Sequence, residues 1–292
     1  MKIFGRNILL KKCSCSVNGA PGERLPPEVN LYVRVTNACD ARCAFCSNYR
    51  NAGNPVEFNR EKLLEVLDEL EGKGVAINRL SFTGGEPGMA RGLMEAILSD
   101  LSGMAYKHIP ATLSTNGLSE DSRSLIRHPR WNRVCMSVHH YDYVRMAEVY
   151  GLPGRVEEFN FSDIPREKLS FTCNLIKGFI ESPAEMVRMM LFAHAHRINV
   201  LGFVELMPVN AYCEEHRIDI DNLDLSGIEH LVKDRESKRE GVCFCRNYLH
   251  SRGDDTLNVY VRTTRNPFYC ESSLLYDGRN LRQGFHEDGI LY

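Results

Sequence analysis

From residue 31 onward, short apolar and β-branched runs alternate with longer stretches whose apolar positions recur at helical spacing. Residues 31–36 read as a strand, and Leu63, Leu64, Val66, Leu67 and Leu70 then mark one face of a helix. Strands are predicted at 77–83, 111–115 and 133–138, with helices near 88–101 and 119–127 between them. After a less regular stretch come a strand at 169–176, a helix at 182–197 and a strand at 200–207. Six β–α units in succession imply right-handed crossovers and a parallel sheet. Six are too few for a closed eightfold barrel, so the expected α/β fold is a partial, three-quarter, six-stranded parallel βα barrel of TIM-barrel type. Its chemistry should lie at the carboxyl ends of the strands, where the βα loops gather. The barrel is expected over residues 31–210, with an N-terminal flank at 1–30 and a C-terminal extension at 211–292. The extension is read as a helix near 228–233 and a strand near 257–262, and residues 21–27 as a surface linker.

Chemistry appears where that fold puts it. Directly after the first strand, Cys39, Cys43 and Cys46 stand on one short loop. Thiolates at such spacing can hold three irons of a [4Fe–4S] cube and leave the fourth iron open to a chelating small molecule. Other readings are a zinc site, which asks for a fourth ligand, and ordinary buried cysteines. After the second strand comes Thr83-Gly84-Gly85-Glu86-Pro87, a turn whose glycines permit close backbone approach to a ligand and whose carboxylate can receive a cation. Ser114-Thr115-Asn116-Gly117 ends the third strand and Ser137-Val138-His139-His140 the fourth.

With these residues together, the sequence resembles the radical S-adenosylmethionine (SAM) superfamily. Cys39, Cys43, Phe45 and Cys46 meet its three-cysteine signature, and Gly84 to Pro87 meet its Gly-Gly-Glu-Pro element. The resemblance implies that the open iron chelates the amino and carboxylate groups of SAM. It also implies that Gly84, Gly85 and Glu86 hold the amino group and that Phe45 packs near adenine. The reduced cluster would cleave SAM to a 5′-deoxyadenosyl radical, which takes a hydrogen atom from an unidentified small-molecule or nucleotide-like substrate. A flavodoxin- or ferredoxin-type donor would supply the electron.

Within the superfamily, residues 31 to about 210 look most like the molybdopterin-precursor cyclase (MoaA) group. That likeness places Thr115 and Ser137 against the ribose and carboxylate, and the backbone around Met207 against adenine; Asn116 and Pro87 complete the expected cofactor-binding set. As a plain sequence position, Met207 reads as a core residue. The departures are specific. Where the cyclase carries a Lys-x-Arg pair and a further Arg that bind the triphosphate of GTP, this chain has Arg79, Ser81 and Gly202, and it ends in Leu291-Tyr292 rather than Gly-Gly. GTP cyclisation, a peptide-modifying activity, and an iron–sulfur carrier or scaffold are kept as alternatives; the short segment before the first strand counts against a leader-peptide domain.

The flanks hold further cysteines. Cys243 and Cys245 are one residue apart, with Cys270 beyond, and Cys13 and Cys15 repeat the spacing. Residues i and i+2 of an extended segment lie about 6.6 Å apart on one face, suited to two irons of one cube. Cys243, Cys245 and Cys270 are therefore expected to hold an auxiliary [4Fe–4S] cluster, with surface thiols or zinc as alternatives. Cys135, Cys173 and Cys213 read as packing residues, His194 and His196 as surface or satisfied core, and Arg262 as a candidate anion contact; one of His139 and His140 is placed near substrate.

Eleven cysteines in 292 residues are many for a cytoplasmic chain, and in a reducing compartment that excess argues for metal ligation or catalysis rather than disulfides. The 36 Lys and Arg against 38 Asp and Glu leave no general polycation for nucleic-acid backbones. No run is long enough for a membrane helix and the start lacks a signal peptide, so the expected location is the cytoplasm.

Overall fold

A computed structural model describes residues 2–8, 27–48, 53, 56–234, 246–263, 273–284 and 289–292. β1 (Lys2–Ile3) and β2 (Arg6–Asn7) make a small hairpin. The alternating region then runs β3 (Glu28–Arg34), α1 (Arg60–Gly72), β4 (Ala76–Thr83), α2 (Arg91–Asp100), β5 (Ala111–Thr115), α3 (Glu120–Ile126), β6 (Arg133–Ser137), α4 (Tyr143–Val149), β7 (Leu169–Leu175), α5 (Pro183–Ala195) and β8 (Val200–Glu205). Beyond it lie α6 (Ala211–His216), β9 (Leu231–Lys233), β10 (Arg246–Arg252), β11 (Asp255–Arg262), β12 (Ser273–Tyr276) and β13 (Leu281–Gln283). Side chains fix most helix starts: Asn59, Ser119, Asp142, Ser182 and Asn210 each accept from an amide of the following first turn.

All but the first two strands form one mixed sheet in the order β13-β12-β3-β4-β5-β6-β7-β8-β11-β10-β9. The run from β12 to β11 is parallel throughout, and β13, β10 and β9 are antiparallel additions. Among the described residues β13 and β9 do not pair, so the sheet is open.

The two faces of the parallel strands differ because side chains alternate with period two. Leu31, Val33, Leu80, Phe82, Leu113, Met136, Phe171, Leu201 and Phe203 are fully buried against Leu63, Leu67, Met94, Leu98, Met186 and Met190 of the helices. Each such side chain contributes about 1.5–3 kcal/mol by leaving water. The opposite face is polar: Tyr32 pairs with Ser81, Ser81 with Thr112, and Thr112 with Arg133. A second row runs through Ser137, Thr172, Gly202 and Tyr260.

Three expectations change. The first strand begins at Glu28, because Glu28 and Asn30 sit on the polar face of a strand whose apolar face already includes Val29. No helix forms over 228–233; a turn closes from Leu231 N–H to the Ile228 carbonyl, His230 takes a left-handed backbone (φ 59°), and β9 follows. The sheet is also wider than six strands, since β11 pairs with β8 and β12 with β3, so strands from beyond residue 210 lie beside both ends of the six. Residues 21–26 of the linker, Cys13, Cys15, Cys243, Cys245 and Cys270 fall outside the described residues.

Candidate functional site at the carboxyl rim

The cysteine loop leaves β3 and lies directly on the Gly-Gly-Glu turn. Val35 N–H donates to the Thr83 carbonyl (3.0 Å), Gly85 N–H to Thr36 (2.6 Å) and Glu86 N–H to Ala38 (2.7 Å). Both glycines are required by this contact. A Cβ on Gly84 would sit 2.3 Å from the Thr36 carbonyl oxygen, and one on Gly85 2.0 Å from that of Ala38. The close approach expected toward a ligand is thus made to the cysteine loop itself.

Glu86 is a second correction. It lies inward, 1% exposed. One carboxylate oxygen accepts from Thr115 Oγ1 (2.6 Å), Ser122 Oγ (2.9 Å) and Gly88 N–H (3.1 Å), the other from Asn116 N–H (2.7 Å). Burial pushes its carboxyl above the usual carboxylate range, against these four donors. The Thr115 hydroxyl is likewise committed, since it also accepts from Gly117 N–H (3.1 Å). Pro87 is buried at the start of the short turn that leads into α2.

Asn116 carries this knot to the cysteines. Its Nδ2 donates to Asp40 Oδ1 (2.7 Å) and lies 4.0 Å from Cys39 Sγ. Asp40 Oδ2 is buried without a hydrogen-bond partner among the described residues. The far side of the loop is held by the end of α4, where Arg42 N–H donates to the Tyr150 carbonyl (2.7 Å). The Tyr150 hydroxyl in turn donates to the carbonyl of Ser137, the fourth-strand position expected near SAM. From the sixth strand, Asn210 Nδ2 donates to the Ala44 carbonyl (2.9 Å) and Cys213 packs under Phe45.

Phe45 meets His139 edge to face, with centroids 5.0 Å apart. His139 is buried and its Nδ1 accepts from Asn174 N–H (3.1 Å); burial pushes the imidazole down to about 3, so it stays neutral. His140 Nδ1 accepts from the N–H of Asp142 (2.9 Å), the residue that caps α4. Met207 lies just past β8 and is 45% exposed, which removes it from the core. Glu205 beside it is buried, taking Arg217 Nε (3.0 Å) and Thr263 Oγ1 (2.8 Å).

Cys39, Cys43 and Cys46 are free thiols, Cys39 exposed and the other two partly buried. Burial pushes the Cys39 thiol up to about 11 and Cys43 up to about 12, so both stay protonated unless a cation compensates. A single metal ion would draw all three thiols to one point. Among the described residues no group of three or more His, Cys, Asp or Glu side chains is arranged to hold a metal ion. A cube makes a different demand, since each thiolate meets its own iron, and three free thiols on one loop at the rim fit it.

Elsewhere, Cys173 and Cys213 are fully buried, and Cys135 contacts Thr172 (3.3 Å) on the polar face. His194 is satisfied core, bonded to Asp255 (2.5 Å) and His250 (2.9 Å). Two rim residues, Tyr260 and Arg34, escaped the sequence reading. Tyr260 lies across Gly202, where a Cβ would be 2.0 Å from the phenol Cζ, and Arg262 stands 5.6 Å from the same ring. Arg34 follows Tyr32 on the polar face of β3; period-two alternation was the available signal.

Residues 33–192 match the profile of the Radical SAM superfamily. The chain is 28% identical to the GTP 3′,8-cyclase of Paracoccus denitrificans over 203 residues, which are 66% of this chain and 56% of that protein. It is 24% identical over 279 residues, 90% of this chain and 83% of the relative, to a Sulfolobus acidocaldarius protein described as "Probable GTP 3′,8-cyclase". A radical SAM methyltransferase from Sphaerobacter thermophilus superposes with a TM-score of 0.50 at 15% identity, covering 66% of this chain and 60% of that one. Among the described residues, no helix is long and apolar enough to cross a membrane.

Proposed function

Because the chain belongs to the radical SAM superfamily, we propose that Cys39, Cys43 and Cys46 hold the [4Fe–4S] cluster that the family implies, with SAM on the iron left free. When bound, this pair supplies one-electron cleavage of SAM to a 5′-deoxyadenosyl radical that takes a hydrogen atom from the substrate. The parallel strands are read as a curled three-quarter barrel, so that their polar face encloses the reactants. The observation that carries the reading is the backbone pairing of Gly85 and Glu86 with Thr36 and Ala38, which fastens the cysteine loop to the Gly-Gly-Glu-Pro turn at one rim.

Each residue then has a share of the work. The main chain from Gly84 to Glu86 receives the amino group of SAM, while the Glu86 side chain, held by Thr115, Asn116, Gly88 and Ser122, fixes the turn from behind. Phe45, kept in place by neutral His139, packs near adenine, and the exposed backbone at Met207 borders the same region. Ser137, on the polar face, lies near ribose. Excluding water and stray C–H bonds from a carbon radical is the task of the surrounding polar face and rim.

The substrate is proposed to be a small or nucleotide-like molecule other than GTP. The GTP 3′,8-cyclase activity named for the relatives is not adopted. Ser81 and Gly202 replace two phosphate-binding cations of the cyclase pattern, and the space above Gly202 is filled by Tyr260. A flavodoxin- or ferredoxin-type donor and an auxiliary cluster on Cys243, Cys245 and Cys270 complete the proposal, the latter on sequence spacing alone.

Anaerobic reconstitution followed by dithionite and SAM tests the reading. About four irons per chain with 5′-deoxyadenosine release are expected from the rim cluster, and about eight irons with the auxiliary one. Ala at Cys39, Cys43 or Cys46 should abolish 5′-deoxyadenosine release, and retained release in two of the three variants would overturn the assignment.

A further inference from the structure

Arg34 closes β3 on the polar face, directly before the cysteine loop. It is half-buried, and burial holds its guanidinium below the ordinary value while Asp277 and Cys46 act in the opposite sense. A guanidinium carries five donors, and those of Arg34 make no hydrogen bond to any described residue and stay open to solvent.

The nearby acid cannot serve it well. Asp277 Oδ1 accepts from Arg279 N–H (3.1 Å) and Asn280 N–H (2.8 Å), and Oδ2 from Arg282 Nε (2.6 Å). Its oxygens are committed to its own turn and to a second cation, Arg282, whose charge also opposes Arg34. Elsewhere on the rim, Glu86 is saturated by four donors and Asp40 Oδ1 is taken by Asn116. The carboxylate of Asp277 is thus paired with Arg282, while Arg34, one residue past the Tyr276–Val33 register pair of the neighbouring strand, has its donors unused.

We propose that Arg34, backed by Arg282, is an oxyanion-binding subsite at the end of β3, directly before the cysteine loop. It would receive the carboxylate of SAM's methionine or a carboxylate or phosphate of the substrate. This rests on the radical SAM reading of the rim and assigns a residue that its motifs do not include. A planar guanidinium suits either group, because two parallel N–H donors match two oxygens. The role is ligand binding and orientation, and no bond is made or broken at Arg34.

The test uses reconstituted full-length protein with Arg34→Gln and Arg34→Lys, after iron content and melting temperature have been matched to the parent. SAM is titrated by equilibrium dialysis, and pyrophosphate is titrated as a substrate-like oxyanion by phosphorus NMR. Arg34→Gln is expected to weaken at least one of the two by about tenfold or more, the size of a lost charge-assisted bond, with Arg34→Lys in between. Loss in the SAM arm assigns the subsite to the methionine carboxylate, and loss in the pyrophosphate arm assigns it to the substrate. Unchanged affinity in every titration that the parent supports overturns the proposal. A parent with its four irons that does not bind SAM instead removes the radical SAM reading, whatever Arg34 does.

Discussion

Replacing Glu86 with Ala separates a buried knot from a ligand contact. The Thr115 and Ser122 hydroxyls can turn to other partners, since Ser119 Oγ already lies 2.8 Å from Ser122 Oγ. The amides of Gly88 and Asn116 have no such freedom, and each orphaned buried donor costs about 1–3 kcal/mol. Against this stands relief from burying a carboxylate, the same burial that pushes its proton affinity up. The two amides together cost about 2–6 kcal/mol, the relief offsets part of it, and a net loss of about 2–4 kcal/mol at roughly 2 °C per kcal/mol for a chain of this size lowers the melting temperature by about 4–8 °C. Glu86→Gln keeps one acceptor but turns an NH2 toward a donor, so about half that loss is expected. The assay is thermal unfolding of the cluster-free protein by circular dichroism, where no ligand enters. A Glu86→Ala protein melting within 2 °C of the parent would refute the inward knot and return the carboxylate to the rim.

Three other perturbations probe the same architecture. Gly85→Ala places a Cβ 2.0 Å from the Ala38 carbonyl oxygen and should lower reconstituted iron; Gly92→Ala, on α2 with open space around it, should leave iron unchanged. Gly202→Ala should cost about 1–3 kcal/mol by overpacking against Tyr260 and be rescued in part by Tyr260→Ala; strictly additive urea midpoints for the pair would contradict the contact. His139 is depressed in the folded chain to about 3 from an ordinary 6.5, so the unfolded chain binds more protons in that window and stability falls as pH drops through it. His139→Gln should remove up to about 1.4 kcal/mol per pH unit of that slope, and urea melts at about pH 5 and 7 showing equal slopes in parent and variant would count against a buried neutral imidazole.

The legible part of the fold is the part whose pairing is sequential. β3 to β8 each carry an apolar face built from near neighbours in sequence, such as Leu80 and Phe82 or Leu201 and Phe203, and each is followed by a helix that covers it. Beyond residue 210 β11 still carries an alternating apolar face, Leu257, Val259 and Val261, and is the strand expected near 257–262, whereas β9, β10 and β12 lack that mark. β9 is three residues long, β10 reads Arg-Asn-Tyr-Leu-His-Ser-Arg, and β12 finds its partner in β3, more than 200 residues earlier. Their identity as strands comes from the edges they join, which no local period reports.

The site divides along the same line. Three cysteines and a Gly-Gly-Glu-Pro turn are local patterns, and their positions after two successive strands put them on one rim. Which way the Glu86 side chain points was not a local matter, because its donors come from Thr115, Asn116 and Ser122, which β5 and the start of α3 bring to it. Gly202 is the sharper case. Read along the chain, it is the loss of a cation from a phosphate-binding pattern. Across the sheet it is the space that a phenol 58 residues later needs, since Tyr260 in register on β11 cannot coexist with a side chain there. The glycine and the tyrosine are therefore one feature, an aromatic ring standing where the cyclase pattern has an arginine.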